Sequence, residues 1–322
     1  MFRRKSSILA TMLLLSSATV AVAESPPRYL LKWGQQGSGA GQFHDPVSLT
    51  VGGDGVVYVA DATNHRVQKF DDKGVFLGAW GSRGTRPGQF LYAYAVAEDA
   101  QGNVYVSDNY NHRVQKFTNS GTFLQQWEAW AEPRGVAVDP SGNVYVAEFL
   151  TSQVEKFDSN GRLLATWPQY NKERDLNGPS GIAVSERGEV YVVQLGSILS
   201  MGEHVFKFSS TGRLLTKWGT TGSGDGQFDC PSEVALDGSG NVYVVDGCNH
   251  RVQKFDSNGR FLEKWGSVGD AEGQFLYPRG VAVDRHLGYI YVADTGNQRI
   301  QKFGYVTAIQ PTSWSNVKTL YR

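Results

Sequence analysis

This 322-residue chain is short of several things at once. It has only two cysteines, Cys230 and Cys248, too few for a cysteine-built metal cluster and enough for one disulfide in an oxidising compartment. It has no surplus of either charge, with 31 Lys plus Arg against 31 Asp plus Glu. A nucleic-acid binder carries a basic excess, so nucleic acid is not an expected partner. Beyond the first two dozen residues there is no apolar run long enough to span a membrane. The one long apolar stretch, residues 8–23, follows the basic opening MFRRKSS and ends in the small residues Ala21-Val22-Ala23. That is the layout of a secretory signal peptide cleaved near Ala23. No cysteine follows it to take a lipid, so the mature chain is expected outside the cytoplasm, secreted or periplasmic.

What the chain has in abundance is repetition. NHRVQKF stands at 64–70, 111–117 and 249–255. Around it lies a longer unit whose consensus is PRGVAVD, then GNVYVAD, then NHRVQKF, then DSNGRFL and a tryptophan. Each piece is a short alternating run rich in β-branched and aromatic residues, bounded by Gly, Asn, Asp or Pro, which is the signature of strands and turns. We call the four strands a, b, c and d. Strand b carries Tyr58, Tyr105, Tyr145, Tyr191, Tyr243 and Tyr291, and strand c ends in Phe70, Phe117, Phe157, Phe208, Phe255 and Phe303. Strand d carries Trp80, Trp127, Trp167, Trp218 and Trp265, while the sixth tryptophan, Trp33, precedes the first strand a. YLLKWG (29–34) therefore supplies the missing outer strand of the last unit, which closes a ring and removes a bare sheet edge.

Six units of this composition resemble the NHL-repeat family, and the resemblance implies an all-β fold. The expected architecture is a six-bladed β-propeller of four-stranded antiparallel blades over residues 24–304. Residues 1–23 would form the signal peptide, and 305–322 a C-terminal tail outside the repeat register. No Trp-Asp dipeptide ends a unit, as it would in a WD40 propeller. The Tyr, Phe and Trp sets are expected to pack between blades, and the Lys before each strand-c Phe to point into solvent. Asp61 with Arg66, Asp108 with Arg113, Asp246 with Arg251 and Asp294 with Arg299 read as loop-fixing pairs. His65, His112 and His250 sit one per blade and need not converge on a metal.

The b–c loops and d–a connections share one face of a propeller and vary most here, and loops on a rigid scaffold are where binding concentrates. Blades three and four drop the Asn-His-Arg loop. They place Phe149, Leu150, Ile198, Leu199 and Met201 on that face, joined by Trp130, which lies outside the packing set. An apolar cluster of this kind marks an interaction site, unless the longer loop folds over and buries it. At the channel mouth, strand a presents Tyr94, Arg134, Ser180, Ser232, Glu233 and Arg279, which would either grip a polar or anionic ligand or pair among themselves or with Asp45, Glu132 and Asp229.

Local features resemble two enzymatic families of propellers. Cys230-Pro231 and Asp246-Gly247-Cys248-Asn249 resemble the disulfide framework of the lyase domain of peptidylglycine α-amidating enzymes. Gly247 stands where that family has its catalytic Tyr, and Arg134, Ser180 or Arg279 where its zinc His would follow a Pro. Calcium-dependent lactonase-like propellers need clustered channel carboxylates, and only Glu233 and Glu98 offer anything similar. The expected function is a non-catalytic scaffold, a monomer without a cofactor, binding a protein, peptide or extended polymer. The alternative is a propeller hydrolase or lyase with a divalent metal such as calcium or zinc in the channel.

Overall fold

The computed structural model describes residues 25–168, 176–195 and 202–305. Six antiparallel sheets, each in the order a-b-c-d, surround a central channel. Blade 1 runs from Pro46 to Trp80, blade 2 from Ala93 to Glu128 and blade 3 from Pro133 to Trp167. Blade 4 runs from Pro179 to Trp218 and blade 5 from Pro231 to Trp265. Blade 6 takes its first three strands from residues 280–304 and its outer strand from Arg28–Trp33. Tyr29 lies opposite Phe303 and Trp33 opposite Ile300, so the ring closes as the tryptophan count requires. The proposed signal peptide and nearly all of the tail lie outside the described residues. Tyr305 belongs to the propeller, since its hydroxyl donates to Glu263 and Lys254 lies over its ring.

The b strands read VYVAD or a close variant and are buried along their whole length. Both faces of each lie against neighbouring blades, which favours β-branched and aromatic side chains. Blades interlock through the repeated aromatics. Trp80 stands 6.1 Å from Tyr58 of its own blade and 5.9 Å from Phe117 of the next. Its indole fills the place where a Cβ on Gly121 would lie 2.7 Å away. Gly121 also holds φ at +87°, so a side chain there is excluded twice over.

The strand-c lysines depart from expectation: they do not point into solvent. Lys254 and Lys302 are almost wholly buried, and Lys116 lies over the Tyr105 ring at 5.1 Å. Four of the ammonium groups, those of Lys69, Lys116, Lys207 and Lys302, reach the c–d turn of the neighbouring blade, Lys116 donating to the Ser159 carbonyl at 3.3 Å and Lys302 to that of Asp72 at 2.8 Å. Lys254 lies 3.5 Å from Glu263 of its own blade. A long stem over an aromatic face with its charged tip on a carbonyl suits a seam between blades.

Candidate binding site

The loop face is held by one network written four times. Asp108 is wholly buried and accepts from Arg113 Nε at 2.9 Å, Asn111 Nδ2 at 2.7 Å, Gln115 Nε2 at 3.2 Å and the Leu91 backbone N–H at 3.0 Å. Arg113 in turn donates to the carbonyls of Thr85, Arg86 and Gln89 in the d–a connection. Asp61, Asp246 and Asp294 repeat this with Arg66, Arg251 and Arg299 at 2.6–2.8 Å. The pairs thus fix loops as expected, and they do more: four d–a connections that look variable in sequence adopt one conformation. Parallel bridges at Gln36–Phe43, Arg83–Phe90 and Val268–Phe275 and the paired Thr220–Thr221 and Gln227–Phe228 mark that shared fold. The histidines serve separately, His65 Nδ1 beside the Leu91 carbonyl and His250 Nδ1 accepting from the Tyr277 N–H.

The departures sit at blades 2 and 3. Trp130 is 73% exposed, Leu150 62% and Tyr110 58%. Phe149 lies beneath the Arg134 guanidinium at 3.3 Å, and Tyr94 is 5.6 Å from the same group. Tyr92 links the set, with Tyr94 at 6.0 Å and Tyr110 at 5.3 Å, and its hydroxyl donates to Asp45. The result is an aromatic surface with one guanidinium stacked into it. Ile198, Leu199 and Met201 lie outside the described residues. Tyr92 and Tyr110 escape sequence reasoning. The available signal was Tyr110 itself, standing where the matching loops carry Thr63, Cys248 and Gly296.

The residues expected at one channel mouth separate into two groups. Tyr94 and Ser180 join by a 3.2 Å hydroxyl contact, Ser232 donates to the Arg279 carbonyl at 2.7 Å, and Arg279 lies 3.6 Å from Asp45. These polar groups pair among themselves on the loop face. Glu233 belongs elsewhere. It lines a cavity of ≈ 580 Å³ whose walls are Leu49, Val96, Val136, Ile182, Val234 and Val281, and which runs out among the a–b turns on the opposite face. Gly135, Gly181 and Gly280 explain the division. Lacking side chains, they let adjacent a strands close up, so that a Cβ on Gly181 would stand 2.5 Å from Glu233 Cα. Of the residues at that level, Ser48 and Glu233 line the cavity and the three glycines do not.

Glu233 accepts from the Ser48 hydroxyl and the backbone N–H groups of Val234 and Ile182, yet burial outweighs these and pushes its carboxyl up to about 8. An acid whose folded pKa is raised binds its proton more tightly folded than unfolded. Its contribution is full below the ordinary value of 4.5 and is lost as pH climbs through about 8. A shift of that size corresponds to on the order of 5 kcal/mol. Glu233→Gln is therefore expected to flatten the fall in unfolding free energy between those pH values. Urea titrations at pH 5 and pH 8.5 check this, and an unchanged slope refutes it.

Cys230 and Cys248 are joined in a disulfide, with Cα atoms 5.4 Å apart. It ties the start of strand a of blade 5 to its b–c loop. Among the described residues no helix is long and apolar enough to cross a membrane.

The NHL-repeat family model matches residues 43–70, 95–117, 228–255 and 275–303. These segments are the cores of blades 1, 2, 5 and 6, the four that carry the Asp–Arg network. Four of the six blades are NHL repeats. NHL repeat-containing protein 3 of Mus musculus is 33% identical over 155 residues, 45% of this chain and 44% of that protein. The match thus spans less than half the length of either protein. Among solved structures it is similar to an auxiliary nutrient binding protein from Bacteroides thetaiotaomicron, with a TM-score of 0.63, 17% identity and coverage of 82% and 69% of the two chains. It is also similar to virginiamycin B lyase from Staphylococcus aureus, with a TM-score of 0.56, 14% identity and coverage of 80% and 79%. At such identities the likeness is one of fold, and fold hosts many functions.

Proposed function

We propose that this NHL propeller is an exported, non-catalytic binding module that takes a protein, peptide or extended polymer on its loop face over blades 2 to 4. The observation that carries the reading is the aromatic surface of Tyr92, Tyr94, Tyr110 and Phe149 around Arg134, with Trp130 exposed on the adjoining connection. Trp, Tyr and Arg dominate interface anchors, and truncating a true anchor costs about 2 kcal/mol or more, roughly thirtyfold in Kd. The disulfide agrees with an oxidising compartment.

The partner recovered by pull-down from the native secreted fraction is expected to bind Trp130→Ala and Phe149→Ala about thirtyfold more weakly, with folding intact by circular dichroism. Unchanged affinity in both variants moves the site off this sector. Glu233 in the channel favours a second reading, a divalent cation or small molecule held from the turn face. Metal analysis of the purified protein and a thermal-shift screen of small acids test it.

A further inference from the structure

Blade 3 breaks the corner that blades 1, 2, 5 and 6 share, and it breaks it in charge. Those corners combine one Asp, one Arg and one Gln, as in Asp61, Arg66 and Gln68, and are neutral overall. At the matching positions blade 3 has Glu148, Gln153 and Glu155. It has lost the cation and gained a second carboxyl. Glu148 is 1% exposed and keeps the loop-holding role, since its Oε2 accepts the Ala131 N–H at 2.9 Å. Its Oε1 is buried without a partner, as is Glu155 Oε2. The two carboxyls face each other, and two carboxylates are both acceptors, so their contact becomes a hydrogen bond only when one holds a proton. Burial first, then Glu155, pushes Glu148 up to about 8. Among the described residues neither carboxylate has an ion-pair partner within 4.0 Å.

We propose that this corner is a receptor for a guanidinium: an arginine of a bound polypeptide enters between Glu148 and Glu155 and supplies the cation the other corners carry in cis. The proposal rests on the reading of the loop face as a polypeptide-binding surface. Three features of the site favour arginine. The four intact corners show that this backbone frame accommodates a guanidinium, with Arg66 Nε 2.8 Å from Asp61 and both Nη atoms on loop carbonyls. In blade 3 the loop that bears those carbonyls is replaced by the short connection Ala129–Glu132, and Glu155 is only half-buried. Two carboxylates offer a planar fork the paired acceptors it matches, whereas calcium takes six to eight oxygens. Trp130, in the short connection, and Leu150, two residues beyond Glu148, are exposed and offer apolar cover for the arginine stem.

The test uses N-acetyl-arginine amide as the probe and N-acetyl-lysine amide as its comparison, titrated into the full chain and followed by backbone amide resonances. The arginine probe is expected to shift Ala131, Gln153 and Glu155 saturably and to bind at least tenfold more tightly than the lysine probe. Glu155→Gln restores the residue of the intact corners and is expected to weaken the arginine probe at least tenfold. Gln153→Arg, which carries its own guanidinium, is expected to abolish its binding. Equal binding of the two probes, or affinity unaffected by Glu155→Gln, overturns the proposal. If Trp130→Ala weakens the native partner while Glu155→Gln leaves both partner and probe untouched, the aromatic surface stands and the guanidinium site falls. If the probe binds as described and Trp130→Ala leaves the native partner unaffected, the guanidinium site stands and the loop-face reading falls.

Discussion

Asp108→Ala is expected to lower the unfolding free energy by about 3–5 kcal/mol, the cost of removing one partner from a buried ion pair. The loss comes less from the missing attraction than from what is left behind. Arg113 is only 6% exposed and would keep its charge without a counter-ion. The N–H groups of Leu91, Asn111 Nδ2 and Gln115 Nε2 would lose the same acceptor. Denaturant unfolding measures the effect. The double variant Asp108→Ala/Arg113→Ala is expected to be less destabilised than the two single losses added together, because the stranded charge is gone. Full additivity would show that the two side chains act independently.

Removing the first strand, so that the chain begins at Gly34, is expected to drive the propeller into larger oligomers and aggregates than the full chain forms. The strand Arg299–Gly304 would be left with an unpaired edge, and such edges template association. Trp33 would also be lost from its place 5.8 Å from Phe70 and 6.1 Å from Tyr291, which unpins blade 1 from blade 6. Size-exclusion chromatography with light scattering distinguishes the outcomes, and a stable monomer refutes the closure argument. The point variant Trp33→Ala, in a half-buried position, is expected to cost about 3 kcal/mol.

Much of this molecule is legible without coordinates because a repeat declares itself by its spacing. Tyr58 and its five counterparts count the blades, and the displaced Trp33 locates the closing strand. Asp61 with Arg66 announces a pair because both residues return together in three more units. Each of these inferences needs only local strand geometry, in which side chains alternate and turns demand Gly, Asn or Asp.

What the tertiary structure decided depends on distances between blades, which no single repeat encodes. The lysines at strand c alternate as solvent-facing residues should, yet the neighbouring blade covers them, so that Lys302 ends on Asp72 from the far end of the chain. Glu233 and Ser232 are adjacent in sequence, but the approach of the glycine-bearing a strands puts them on opposite sides of a constriction. Glu148 and Glu155 lie seven residues apart on paired strands, and nothing in their spacing shows that burial leaves both without a cation. Periodicity specifies the blade, because it is a local property of the backbone. The chemistry of the loop face and of the channel arises from packing six near-identical blades in a ring, where the few residues that differ meet neighbours the repeat does not predict.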